Sequence, residues 1–406
     1  MTYPDWFEAA WPAARFDAMR AEGDLLADAA IAVIMSEPRS DLAAEVRASL
    51  AGQTDHGGGP SADDFRRYLS AGQPAAEQQR SLFLPDWIDQ AALDRAETFM
   101  ARHGARYSFA LLFLSLPILY GWATGGAQTL AMTGQLADKF GRRVSESLRF
   151  VVSVIREGGL SPTGDGIATT LKVRLMHASI RYYARRAVCP TGDDYWRAEW
   201  GEPVNQEQLV ATMLSFCTLA VDGMRKLGIR VTAQEDRDLM MLWRAVGWVL
   251  GIRAENMPTT PEEGRLVWAR CVERNFGPTG AAKLLAARHI DFIASFGGDT
   301  MFATAFRDID AALMRYLMGS TIAAGMLGVP WPGWRGLWVL LVLWGFHFTE
   351  RLVDTSWLVR RWMDRHGNSL LIALEQYWAR HEDARPFHIP TPEEAQGGLA
   401  QACPLR

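Results

Sequence analysis

The chain has 406 residues, enough by length for two domains, and a net charge of −4. That balance gives no basis for nucleic-acid binding. Hydrophobic residues make up 49%, with 16 Trp and 18 Phe, which supports a substantial core and broad apolar surfaces or pockets.

Strand-like alternation is scarce and helical periodicity is common, so the reading is all-α. Leu25, Leu26, Ala29, Ala32 and Val33 recur at helical intervals and predict a helix over 14–36. Gly57-Gly58-Gly59-Pro60 marks a break over 52–63. Amphipathic helices are predicted over 88–103 and 107–121. Val144, Leu148, Val151, Val152 and Ile155 predict another over 143–155. Gly158, Gly159, Pro162, Gly164 and Gly166 interrupt it, and a second helix follows over 167–187. A helix over 206–227 ends at Gly228 in C-cap style. Thr232 with Glu235 forms a capping box that opens the next helix, to Leu250. Pro261-Glu262-Glu263 starts one more.

Leu337–Phe348 is continuously apolar apart from His347. It is shorter than the roughly 20 residues a spanning helix needs. Residues 319–348 therefore read either as a buried helix pair or as a hairpin dipping into one leaflet. Trp331, Trp334, Trp338 and Trp344, followed by Arg351, Arg360 and Arg361, suit peripheral membrane contact. No linker-like composition splits the chain. The reading is one domain over 1–390, with its core at about 100–320, and a flexible polar tail over 391–406.

The stretch 143–181 carries the chemistry. Arg143, Glu146 and Ser147 stand at i, i+3 and i+4, so their side chains can meet. On the next helix Val173, His177, Ile180 and Ala184 share one face. Arg174 and Arg181 lie three residues before and four after His177. Neighbouring arginines disfavour imidazolium, and a metal needs the neutral ring. They could also pair with carboxylates such as haem propionates. An axial histidine on one side, with an arginine and its acid and hydroxyl partners on the other, would build a haem pocket in an all-helical frame. The bland reading makes His177 a packing residue, Arg143 and Glu146 a surface pair, and the other arginines a solvated face.

The blocks Gly23-Asp24 with Ala27-Asp28, Arg143 with Ser147-Leu148-Arg149-Phe150, Val173–Ala178 with Arg181, Gly201–Gln206, and Leu242–Gly247 with Leu250-Gly251-Ile252 occur in order. Through them the chain resembles, over about 12–390, the rubber oxygenase (latex clearing protein) and MpaB-type oxygenase family. The resemblance implies a globin-like helical core binding haem b, with His177 as the proximal iron ligand and Arg143 in the distal pocket. Ser147 falls where rubber-cleaving members have threonine, and Glu146 where they can carry an iron-capping lysine. Their upstream catalytic glutamate falls near Ala127-Gln128, and neither residue is a carboxylate base. The expected activity is a haem-dependent oxygenase acting with O2 on a hydrophobic, isoprenoid-like alkene by oxygen insertion or C=C cleavage. Arg143, Ser147 and Glu146 would be catalytic, and His177, Arg174 and Arg181 would bind the cofactor. The competing reading is a non-catalytic haem- or lipid-binding helical protein, and a weaker third is a cofactor-free, membrane-associated one.

Cys189, Cys217, Cys271 and Cys403 make no CxxC pair, so no zinc or iron–sulfur site is suggested and a reducing compartment is expected. The start has no basic n-region followed by an apolar stretch, so the expectation is a cytoplasmic protein without a secretory signal, with membrane association through 319–348 left open. No GxSxG elbow, Walker A or H-E-x-x-H motif occurs. His103, His289, His366, His381 and His388 read as surface or packing residues, and His347 as a runner-up iron ligand.

Overall fold

A computed structural model describes residues 2–37, 40–50, 60–132, 140–186, 196–298 and 301–363, together with 366, 369 and 373. Among them every regular element is helical, apart from one isolated bridge between Trp122 and Phe276. The 52–59 stretch, the tail beyond Pro390, Cys189, Cys403, His381 and His388 lie outside the described residues, as does the side chain of Arg143.

The chain begins with α1 (Asp5–Ala10), α2 (Ala13–Arg20), α3 (Leu25–Ser36), α4 (Asp41–Leu50) and α5 (Ala62–Leu69). The helix expected over 14–36 is thus two helices. Asp24 splits it by adopting an extended backbone and capping α3, where its side chain accepts from Ala27 N. By contrast, the two helices expected over 88–121 are joined. Helix α6 (Gln90–Ala110) runs straight into a wider π-type turn at Leu111–Ser115, because nothing between 103 and 107 breaks the backbone ladder.

The middle of the chain supplies α7 (Gly126–Met132), α8 (Phe140–Ile155) and α9 (Asp165–Ala184). Next come α10 (Gln206–Leu214), a second π-type turn at Ser215–Leu219, and α11 (Ala220–Lys226). Gly228 follows at φ +84. The Thr232–Glu235 capping box opens α12 (Ala233–Val249), and Pro261 opens α13 (Pro261–Asn275). The chain continues through α14 (Gly280–Ser295) and α15 (Met301–Met318) to α16 (Trp338–Thr355).

Helix α6 crosses the centre and packs on α12 and α11, α14 pairs with α15, and α9 packs on α3, α5 and α8. The two π-type turns in α6 and α10–α11 meet: Ser115 Oγ donates to Ser215 O at 2.7 Å, and Tyr107 Oη donates to Phe216 O at 2.6 Å. One continuous apolar core results, from Phe7 to Val329.

The C-terminal segment corrects the expectation of a buried helix pair. Trp331 is 74% exposed, Trp334 75% and Trp344 65%, so the apolar stretch lies on the surface. Its apolar window is also longer than the sequence run suggested. Among the described residues, two helical stretches, 90–121 and 333–353, are long and apolar enough to cross a membrane. The first is 72% buried within the protein and the second 11%.

Candidate functional site

The hairpin α8–α9 is built as the spacing predicted. Val144, Leu148, Val151, Val152 and Ile155 are buried along one side of α8. At three positions in and beside the turn between the helices only glycine fits. A Cβ on Gly159 would overlap the Ser153 carbonyl, and one on Gly164 or Gly166 would overlap the Gly159 carbonyl. Gly158 sits at φ +69, and its N–H donates to Glu97 Oε2 at 3.2 Å. On the other side of α8, Glu146 is half-buried and Ser147 exposed. Lys172 of α9 lies within electrostatic reach of Glu146 and Arg149. Burial pulls the Lys172 ammonium below the ordinary lysine range, while Glu146 opposes that shift. A lysine on the facing helix therefore feels the Glu146 charge.

Arg174 and Arg181 find their carboxylates within the chain. Arg174 Nε and Nη2 reach Asp24 at 2.6 and 2.9 Å, and Nη1 donates to Val249 O at 3.1 Å and to Ser81 Oγ at 3.0 Å. Both residues are buried, Arg174 to 2% and Asp24 to 5% exposure. Arg181 Nε donates to Asp28 Oδ1 at 2.5 Å and Nη1 to Val204 O at 3.3 Å. Gly251, at φ +98, lies so close that a Cβ would overlap the Asp24 carboxylate. Gln206 ties the cluster together, donating to Gly23 O at 3.0 Å and to Gly251 O at 2.9 Å. Four separated sequence blocks thus converge behind α9, clamping it to α3, to the start of α10 and to the end of α12.

His177 is carried on this clamped helix, within a half-buried stripe that includes Val173, Met176 and Ile180. Among the described residues no group of three or more His, Cys, Asp or Glu could hold a bare metal ion. A single imidazole in an apolar stripe fits a metal that brings its own equatorial donors, as a porphyrin does. Arg181 adds a second matching feature: its Nη2 is buried and has no hydrogen-bond partner among the described residues, one helical turn from His177. A cofactor carboxylate suits that donor. Arg174, by contrast, directs all three guanidinium nitrogens to the protein.

Residue-type reasoning did not anticipate Asp24 and Asp28 as partners of the two arginines. The signal was present, as acids at i and i+4 answering arginines at i and i+7. Lys172 and the π-type turns had no such signal. His347 does not join the site. Its ring packs over Gly228, and Nδ1 lies 2.8 Å from Leu343 O.

The fold is shared with the solved structure of latex clearing protein LCP in the closed state. That likeness has a TM-score of 0.60 at 19% identity and covers 95% of this chain and 91% of the other. Rubber oxygenase from Streptomyces sp. (strain K30) is 23% identical over 283 residues, 68% of this chain and 61% of that relative's length. Residues 101–348 match the family described as ER-bound oxygenase mpaB/B'/Rubber oxygenase, catalytic domain. These matches define the class, an all-helical chain carrying a catalytic domain of an oxygenase family. The chain belongs to the mpaB/B' and rubber oxygenase catalytic-domain family.

Proposed function

We propose that this protein is a haem b-dependent oxygenase acting on a hydrophobic, isoprenoid-like alkene. The observation that carries this reading is the clamp behind α9, which presents His177 on a rigid helix face amid apolar side chains. Haem, when bound, supplies the activation of dioxygen. His177 Nε2 would hold the iron, and Arg181 Nη2 would meet a propionate. From α8, Arg143 supplies positive charge, Ser147 a hydroxyl donor, and Glu146 a carboxylate within electrostatic reach of Lys172, to orient oxygen and substrate. The half-buried Val173, Met176 and Ile180 offer an apolar chain a place to lie. Cleaving C=C with O2 to two carbonyl groups puts one oxygen atom on each carbon and needs no outside electrons.

The visible spectrum tests this reading. The parent protein, expressed with ample haem, should show a Soret band that His177→Ala loses. A colourless parent that cannot be reconstituted, or a variant that keeps stoichiometric haem, overturns it. Arg143→Ala should keep haem but lose oxygen chemistry, and unchanged turnover removes Arg143 from the mechanism.

A non-catalytic haem or lipid carrier is the second reading. It is favoured by Ala127 and Gln128, which are buried to 2% and 4% exposure where related enzymes place a catalytic glutamate. Turnover of a panel of isoprenoid alkenes under O2 separates the two, since a carrier consumes no oxygen.

A further inference from the structure

We infer that the outer face of α16, with the turn that leads into it, docks this protein in the plane of one leaflet of an anionic lipid surface, without crossing it. Trp338, Leu341, Trp344 and Phe348 follow one another at three- to four-residue intervals, and all are between 47% and 65% exposed. Three arginines stack against tryptophans along the same region: Arg315 on Trp331 at 5.2 Å, Arg335 on Trp334 at 5.8 Å and Arg361 on Trp357 at 5.7 Å. An exposed apolar helix face flanked by indole rings that each lie beside a cation matches the acyl–headgroup boundary.

Charge selects the lipid. The whole chain is at −4, yet Arg335, Arg351, Arg360 and Arg361 are exposed around this face. Of the acids around it, Glu350 is turned inward and paired with Arg106 at 2.5 Å, Asp308 lies 3.5 Å from Arg335, and Asp354 is the other acid of α16, which leaves the arginines in excess. The patch is therefore locally basic, the complement of an anionic headgroup layer.

The inner face of α16 decides between lying on the membrane and crossing it. By length and composition 333–353 could span a bilayer. However, Glu350 is 5% exposed and also accepts from Arg230 N at 3.2 Å. His347 lies over Gly228, and Phe346 meets Phe109 with ring centroids 4.9 Å apart. Spanning would strip Glu350 and Arg106 from each other and place a carboxylate in hydrocarbon, so the anchored arrangement wins.

The test is flotation of the full-length protein with vesicles of phosphatidylcholine alone or with 30% phosphatidylglycerol, roughly the anionic range of natural membranes. The parent should bind the anionic vesicles at least tenfold more tightly. Arg335→Gln should weaken that binding by about fivefold at low salt. Trp338→Ser with Trp344→Ser should abolish it, while the thermal midpoint and visible spectrum stay those of the parent. Alkaline carbonate should release the bound protein. Equal binding to both vesicle types, or parent-like binding by the double variant, overturns the inference. So does retention through carbonate, which would mean a spanning helix, or a vesicle-free dimer that the double variant dissolves with no lipid binding by the parent. Because vesicle binding is read without haem or turnover, it stands or falls apart from the oxygenase reading.

Discussion

Asp24 shows at the scale of one residue how the site is held. Burial pushes its carboxyl up, but the charge of Arg174, its hydrogen bonds and the charge of Arg181 pull harder, leaving it below the usual carboxylate range. A depressed carboxyl contributes stability that is full above its unfolded value, about 3.9, and is lost as pH falls through the folded one. Asp24→Asn leaves Arg174 buried without its counter-charge, so it should cost about 3–5 kcal/mol at neutral pH. Urea unfolding of parent and variant at pH 7 and at about pH 3 checks this. The gap should narrow in acid, and a gap independent of pH would show that the pair is not the source. His177 illustrates the limit at this scale: its residue type and neighbours name it as a ligand candidate, whereas the rigidity of its helix comes from residues about 150 positions earlier in the chain.

At the element scale, local signals worked where the cause was local. Capping at Thr232 and Pro261, the stop at Gly228 and the apolar stripe of α8 all appear as their spacing requires. They failed where a tertiary partner decided the matter. Asp24 breaks the 14–36 helix because its carboxylate is needed both as a cap and by Arg174, and no periodicity encodes that double use. The same cluster gives a test through Gly251. Gly251→Ala combines a left-handed backbone, worth about 1–2 kcal/mol against a side chain, with overlap on Asp24 and Arg174. Gly319, at φ +84, has no atom within 4 Å of a built Cβ, so Gly319→Ala meets the backbone cost alone. Thermal unfolding should rank Gly251→Ala the more destabilising by at least about 1 kcal/mol. Equal costs would mean that Asp24 and Arg174 move aside freely.

For the molecule as a whole, the core closes over both described cysteines. Cys217 is fully buried and its thiol is pushed up to about 12, and Cys271 is raised well above the ordinary thiol range, in each case by burial first. Thiolate is the reactive form, so neither should react with a thiol reagent in the native state. Titration of a Cys189→Ser, Cys403→Ser variant checks this: labelling should begin only on unfolding, and prompt native labelling would show that the core opens. The sequence by itself determined the helical class, the bounds of α8, α9 and α12, the start of α13, and the histidine that α9 carries, because these follow from periodicity, capping and glycine chemistry between near neighbours. Only the tertiary structure decided that Arg174 is wholly engaged by Asp24, Ser81 and Val249 while Arg181 keeps a donor, that Lys172 comes within electrostatic reach of Glu146, and that the apolar α16 faces outward. Each depends on which residues distant in the chain become neighbours, and burial and charge pairing act only once that neighbourhood exists.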